Sequence, residues 1–340
     1  MLNVHAGANH TILASWVGAI ASAVEQEGYG WTDLCRSGGI ADPRDSASGA
    51  RLPQEIMRSI WDRAAQLTQD PAVPLRAAER LRPQALHALG YSLMAASSLE
   101  EACRIMHRQF HVISTAAAMR LETTASHYTL TSVCEPAVNN EGFEMFLAFM
   151  SEMFGLLQAD RITPLKLTLR RSVASRAVCE RYDSFFGVRV EFGAPQNMIV
   201  FSRKDILAPL HSGNPTVRAL TEKLVSEYLQ SFGSGEFRTV VRSQILNLLQ
   251  TGAASEEAVA RSLNMSSSSL SRRLRLEGVN YRQLLHETQK SLALQYLEDD
   301  DLSISEIGFR LGFEDLSSLS RSFRRWTGVS PRTWRRQRLS

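Results

Sequence analysis

Two short clusters of serine and arginine carry the most specific chemistry in this chain. The first is Ser268, Ser271, Arg272 and Arg275; the second is Ser318, Ser320, Arg321, Arg324 and Arg325. An arginine guanidinium is a planar fork of N–H donors that fits a guanine edge or a phosphate oxygen pair, and a serine hydroxyl donates or accepts at short range. Steps of three and four residues within each cluster place these groups on one face of a helix. Such a face is what a protein needs to read base edges in the major groove. Arg332, Arg335, Arg336 and Arg338 follow the second cluster as candidate phosphate contacts.

The elements that must hold these clusters are written twice. Val259-Ala260, Leu263, Met265, Leu270, Arg272 and Leu274 recur as Ile307-Gly308, Leu311, Phe313, Leu319, Arg321 and Phe323. The offset is 48 residues through the first half of the unit and 49 through the second, so the second copy has one extra turn residue. Each copy predicts a helix, a short turn and a second helix with an apolar inner face. Ser255 with Glu256 and Glu257 opens the first copy, and Ser303 with Glu306 forms a capping box for the second. Asn264-Met265-Ser266 is the first turn, and Gly278 and Gly328 are helix stops. Asn280–Glu298 is a connecting helix with Tyr281, Leu284, Leu285, Leu292 and Tyr296 as its apolar stripe. Ser330-Pro331 starts a last helix that Trp334 seals onto the core. One helix with an arginine face is usually just a solvated face. Two in register, with turns, caps and outward arginines, favour duplex DNA with groove faces about 34 Å apart.

Residues 255–338 resemble the DNA-binding domain of the AraC/XylS family of bacterial transcription regulators. The resemblance is carried by Ser303-Ile304-Ser305-Glu306-Ile307-Gly308, Leu311-Gly312-Phe313 and the run from Ser320 to Pro331, and in the first copy by Met265-Ser266 and Leu270–Leu274. It implies that Ser268, Ser271, Arg272, Ser318, Ser320 and Arg321 read bases. Asn264 and Gly308 stand where the family commonly has Gly and Ala. Leu319 takes a frequent Phe position, and Ser266–Ser269 replaces the usual basic and Thr residues. Upstream, Trp31, Gly39-Ile40, Arg51-Leu52-Pro53, Asp70-Pro71, Leu89-Gly90-Tyr91, Leu99–Ala102 and Phe186–Phe192 resemble the arabinose-binding-type sensor domain of the same family. That implies only a small-molecule effector of unknown identity and self-association to a homodimer. The functional reading of the whole chain is an effector-responsive regulator that recruits RNA polymerase as an activator.

Periodicity along the first 210 residues predicts helices first and a small sheet afterwards. Residues 11–110 read as mostly helical, with Leu13, Val17, Ile20 and Val24 on one face and a stop at Gly28-Tyr29-Gly30. Met119–Glu122 and Ser126–Cys134 read as extended, and Phe143–Leu157 as an apolar helix. Pro164–Arg171 reads as a strand with Leu165, Leu167 and Leu169 on one side. Ser175–Phe186 reads as a helix, and Val188–Phe192 and Met198–Phe201 as strands. The expected architecture is an α+β sensor domain over 12–210, a linker with a helix over 211–235, and an all-α domain over 236–340. That last domain holds two helix-turn-helix units joined by a connecting helix. Val217, Leu220, Leu224 and Tyr228 mark the linker helix, and Ser231–Gly235 is flexible by composition.

Composition is that of an ordinary soluble protein, 44% apolar and 21% charged. No run of about 18 apolar residues is present and Met1–His10 is not signal-like, so a cytoplasmic protein with no membrane span is expected. The net charge of +3 is uneven: from Leu302 onward there are 8 basic residues against 3 acidic. Only 4 of the 38 basic residues are Lys, which suits phosphate and guanine recognition and equally suits a GC-rich genome. No GxSxG, P-loop, GxGxxG or HExxH motif occurs, so no catalytic residue and no cofactor is assigned. A repair enzyme of the alkyl-transfer kind needs an activated or metal-held cysteine set. Cys35, Cys103, Cys134 and Cys179 lack the spacing for it. An architectural DNA binder leaves the 200-residue front without a role. Cys103, His107 and His111 fall on one stripe and are weighed as a metal or haem site against partly buried, hydrogen-bonded side chains; no metal is assigned. Phe143, Phe146, Phe149, Met150, Met153 and Phe154 are either plain core or the wall of an apolar pocket. Arg170-Arg171 meets an anionic ligand or solvent.

Overall fold

Apolar residues at helical spacing after a short extended start build the first elements. Strand β1 (Thr11–Leu13) leads into helix α1 (Ser15–Gln26), where Val17, Ile20 and Val24 are fully buried. Then come α2 (Trp31–Gly38), β2 (Arg51–Pro53), α3 (Gln54–Thr68), α4 (Val73–Arg80), α5 (Ala88–Met94) and α6 (Leu99–Gln109). The computed structural model describes residues 10–38, 42, 49–134, 138–158, 160–173, 175–230, 232, 236–249, 252–297 and 302–338. The chain divides into two compact units, Met1–Phe232 and Gly233–Ser340. Most of the Ser231–Gly235 segment and Gly39-Ile40 lie outside the described residues.

Residues 11–110 are mostly helical, as expected, and to the helices the structure adds the short pair β1 and β2, antiparallel with Ile12 opposite Leu52. The partners are about 40 residues apart, and no local periodicity marks such short strands. Gly90 is dictated by close packing: a Cβ there would lie 1.6 Å from the Pro83 carbonyl oxygen.

The sheet follows as expected, with β3 (Ala117–Thr123), β4 (His127–Cys134), helix α7 (Asn140–Gln158), β5 (Lys166–Leu169), α8 (Arg176–Phe186), β6 (Val190–Phe192) and β7 (Met198–Ser202). Its strand order is β3-β4-β7-β5-β6, antiparallel except for the parallel pair β5–β6. One row of buried side chains crosses it in register: Leu130, Ile199, Leu167 and Val190. Phe154 of α7 packs on Phe201 of β7 with ring centroids 5.3 Å apart. Leu165 precedes β5 and is 52% exposed, so only Leu167 and Leu169 of the expected triplet face inward.

Arg171 is not at a ligand or in solvent. Its guanidinium donates to both oxygens of Glu144, at 2.8 and 2.7 Å, to the Tyr182 hydroxyl at 2.8 Å and to the Pro71 carbonyl at 2.9 Å. Glu144 is completely buried in α7. A buried carboxylate must be paired and hydrogen-bonded to be tolerated, and this one ties α7, α8 and the sheet together. Arg170 beside it is exposed.

The Cys103–His107–His111 stripe also separates. Cys103 and His107 sit in α6, and His111 lies in the 3₁₀ turn Phe110–Val112. The His107 ring hydrogen-bonds the Met119 carbonyl. Among the described residues, no group of three or more His, Cys, Asp or Glu side chains gathers as a metal set. Cys103 and Cys179 are free thiols, and burial pushes the Cys103 thiol up.

The first unit ends with α9 (Arg203–Leu207) and α10 (Pro215–Gln230). The helix expected within the linker is α10. It is docked on the first unit, with the Ser92 hydroxyl donating to Thr221 Oγ1 at 2.7 Å in the interior. Its buried face is Thr221, Val225 and Leu229, while Val217, Leu220 and Leu224 are exposed, the reverse of the apolar stripe in the sequence. No helix among the described residues is long and apolar enough to cross a membrane.

Candidate nucleic-acid interface

The second unit holds α11 (Glu236–Leu249), α12 (Glu256–Ser262), α13 (Ser267–Leu276), α14 (Tyr281–Tyr296), α15 (Ile304–Arg310), α16 (Leu316–Thr327) and α17 (Pro331–Arg338). The duplicated sequence becomes a duplicated structure, α12–α13 and α15–α16. Both copies begin on a serine cap: Ser255 accepts from the Ala258 amide, and Ser303 with Glu306 closes a full capping box. Val259, Ala260, Leu263, Leu270 and Leu274 are buried in the first copy; Ile307, Leu311, Leu319 and Phe323 are buried in the second.

The turns explain two departures noted in the sequence. Asn264 has φ 53° and occupies the left-handed position taken by Gly312 (φ 74°) in the second copy. Asn is among the few residues that enter this region at modest cost. The amides of Met265 and Phe313 then bond back to the carbonyls of Ala260 and Gly308, at 2.9 and 3.0 Å. The extra residue of the second copy falls between Phe313 and the next cap. That cap is Asp315, where the first copy has Ser266.

Capping accounts for much of the serine run. Ser266 accepts from the Ser269 amide at 3.2 Å and donates to the Ser269 hydroxyl at 2.9 Å. Ser268, Arg272 and Arg275 are exposed and Ser271 is half-buried. Arg273 turns the other way, its guanidinium 4.1 Å over the Phe237 ring, which leaves Arg272 as the outward member of that pair. In the second copy Arg321, Arg324 and Arg325 are exposed, and Ser318 and Ser320 are half-buried. Ser318 donates to Asp315 at 2.7 Å and Arg321 donates to Ser318 at 3.1 Å. The Asp315–Ser318–Arg321 chain therefore aims the Arg321 guanidinium before any contact is made. Hydrogen bonds from Ser318 hold the Asp315 carboxyl below its ordinary range.

Two helices hold the copies in one body. Glu277, closing α13, accepts from the Arg238 amide at the start of α11 (3.1 Å). A reciprocal cap between Asn280 and Gln283 starts α14. Within α14, the buried Gln289 amide donates to the Leu311 carbonyl at 3.0 Å, satisfying the end of α15. Phe323 meets Trp326 and Trp334 edge-on at 6.3 and 6.4 Å, as expected for a sealed last helix.

Positive charge gathers where α14 meets α16. His286 is held below its ordinary value first by partial burial and then by Arg282 and Arg325. Exposed Arg282 was not singled out in the sequence, because nothing local distinguishes it from any helix-surface arginine. Arg332 and Arg336 are exposed on α17; the Arg338 side chain lies outside the described ones. Arg335 is half-buried and donates to the Leu302 carbonyl at 2.8 Å, fastening α17 to the entry of α15. Removing a charged donor of this kind costs about 1–3 kcal/mol. Arg335→Ala is therefore expected to lower the denaturation midpoint of the second unit. Arg332→Ala and Arg336→Ala are expected to leave that midpoint unchanged and each flatten the salt dependence of DNA affinity by about one unit of slope. An unchanged midpoint for Arg335→Ala, with the same flattened slope, would return Arg335 to the phosphate-contact group.

Residues 28–210 match the arabinose-binding domain of AraC transcription regulators, N-terminal, and residues 259–337 match a helix-turn-helix domain. The chain is similar to the ornithine utilization regulator of Pseudomonas aeruginosa, 28% identical over 86% of each chain. It is 29% identical to the HTH-type transcriptional regulator VirS of Mycobacterium tuberculosis, over 90% of this chain and 94% of that one. The crystal structure of the transcriptional regulator CdpR from Pseudomonas aeruginosa aligns at 21% identity with a TM-score of 0.46, covering 90% of this chain and 96% of that one.

Proposed function

From the premise that this chain belongs to the AraC family of effector-controlled, DNA-binding transcription regulators, we infer that α13 and α16 are its two base-reading helices. The observation that carries this is the pairing of Arg272 and Arg321. They occupy matching positions of the repeat, both are exposed, and both stand on helices whose opposite faces are buried in one unit. Ser268, Ser271, Arg275, Ser318, Ser320, Arg324 and Arg325 flank them on the same surfaces. Arg332, Arg336 and Arg282 supply phosphate contacts from α17 and α14.

The regulator acts in the cytoplasm as a homodimer and an activator that engages RNA polymerase. The exposed stripe Val217, Leu220 and Leu224 on α10 supports the homodimer, since an apolar face of this kind is covered on association. The effector acts on the first unit.

Arg272→Ala and Arg321→Ala are each expected to cost about 1–3 kcal/mol of discrimination at one base pair, at different positions of the site. A binding-site selection on the full-length protein checks this. Unaltered sequence preference in both variants would remove α13 and α16 from the base-reading role.

A further inference from the structure

The first unit contains a crevice lined by β1, α1, α3, α7, the start of β3 and the turn after α6. Its walls are aromatic: Trp16, Trp61, Phe110, Phe143 and Phe146. The rings of Phe110 and Phe143 both pack on Phe146, at 4.9 and 5.5 Å between centroids. Into this lining are set buried polar atoms with no hydrogen-bond partner in the protein: Trp16 Nε1, Gln54 Oε1 and Asn139 Oδ1. Trp16 is 2% exposed and Gln54 4%. A buried donor and two buried acceptors left unmet are costly unless something else meets them.

We propose that this crevice is the effector site and that its ligand is a small neutral aromatic molecule carrying both a hydrogen-bond donor and an acceptor. The proposal rests on the effector-controlled reading above and gives the effector a chemical class. Trp16 supplies one N–H for the ligand's acceptor, and Gln54 and Asn139 supply oxygens for its donor. Among the described residues, no Asp, Glu, Lys, Arg or His lines the crevice, and a carboxylate, an ammonium group or a zwitterion set against that lining would lose its hydration unpaired. A sugar fails for a related reason, because this lining offers too few hydrogen-bonding atoms to replace the hydration of its hydroxyls.

The crevice also adjoins the end of the unit that leads to the DNA-binding half. Arg51, three residues before Gln54, donates to Thr11 Oγ1 at 2.7 Å and to the Val112 carbonyl at 2.6 Å. Thr11 precedes the lining residue Ile12, and Val112 precedes Ile113. The same guanidinium reaches the Tyr228 hydroxyl at 3.4 Å and lies 4.6 Å over the Phe232 ring. A ligand that shifts the β1 wall therefore shifts the side chain holding the last residues of the first unit.

The test measures direct binding to the full-length protein by calorimetry, and so does not depend on its DNA activity. The probes are benzamide, benzene, benzoate, L-arabinose and L-ornithine. Benzamide is expected to bind at least about tenfold tighter than benzoate, and neither arabinose nor ornithine should compete with it. Gly142→Leu, which fills the crevice beside Trp61, should abolish benzamide binding. Gln54→Leu should weaken benzamide about tenfold and leave benzene nearly unchanged, a split that a misfolded variant would not give. Tighter binding of arabinose, ornithine or benzoate than of benzamide overturns the proposal. So does benzamide binding that is absent or survives both substitutions. Loss of sequence-selective DNA binding would instead count against the regulator reading, and it is read in the separate site-selection assay.

Discussion

Arg171→Ala is expected to destabilise the first unit by about 3–5 kcal/mol. The substitution leaves Glu144, with no exposed surface, facing only the Tyr182 hydroxyl. Desolvation already pushes the Glu144 carboxyl up, and Arg171 is the main force opposing that. Without the guanidinium, the folded state must either hold an unpaired charge or take up a proton. Denaturant unfolding, with hydrogen exchange of α7 and β5 amides to identify the unit, measures the loss. The double substitution Glu144→Leu with Arg171→Met is expected to recover most of it, because an apolar pair of similar volume carries no desolvation cost. A loss below about 1 kcal/mol for Arg171→Ala would mean that the pair is solvated and that α7 is held by packing alone. Because Phe143 and Phe146 on α7 also line the crevice, loosening α7 should weaken effector binding before it affects DNA affinity.

The two halves of the chain were legible to different degrees, and the reason is the range of the interactions that form them. The helix-turn-helix copies are specified locally. Caps at Ser255 and Ser303, stops at Gly278 and Gly328, and apolar residues at steps of three and four all act within one or two turns, so their bounds could be read directly. The first unit depends on long-range partners. The β1–β2 ladder joins residues 40 apart, and the Arg171–Glu144 pair joins a strand end to a helix 27 residues earlier. Neither leaves a periodic trace. The α10 stripe shows a subtler failure: Val217, Leu220 and Leu224 are in step, yet the helix buries Thr221, Val225 and Leu229 instead. A stripe in a sequence shows only that apolar residues share a face; which face meets the unit depends on what the neighbouring helix presents. Arg272 and Arg321 stand out in the sequence because the repeat aligns them, and both are exposed in the structure. The bond from Arg335 to the Leu302 carbonyl left no trace in the sequence, because that partner is a backbone atom 33 residues away. The crevice was visible only as the ambiguous aromatic run from Phe143 to Phe154, since its other walls come from β1, α1 and α3.

Lowering the pH from 6.5 toward 3 is expected to cost the first unit stability at up to about 1.4 kcal/mol per pH unit. The cause is His111, which is completely buried at the end of α6. Burial first, and then the Arg51 guanidinium, lower its pKa from 6.5 to about 3. Its folded-state pKa thus lies below the unfolded value, so the stabilisation is fully present above pH 6.5. It drains away as the unfolded chain takes up a proton that the folded chain refuses, and levels off near pH 3. Over the full window the loss approaches about 4–5 kcal/mol, comparable with the whole stability of many domains. His107 and His87 are lowered in the same direction, mainly by burial, and steepen the slope. The lowered carboxyls Asp70 and Glu101 begin to lose their contribution only below about pH 4. In the interval from about 4.5 to 6.5 the histidines are opposed by the raised Glu144 carboxyl, which favours the fold as pH falls, and comparison with a histidine variant cancels that shared contribution. His111→Phe keeps the site filled and apolar and should flatten the curve there, as followed by urea midpoints at stepped pH. An identical slope in wild type and His111→Phe would show that the ring is reached by solvent and protonates freely in the fold. The second unit holds a single histidine, His286, half-buried on α14. Mild acid should therefore melt the first unit first, abolishing the effector response while the second unit keeps its fold.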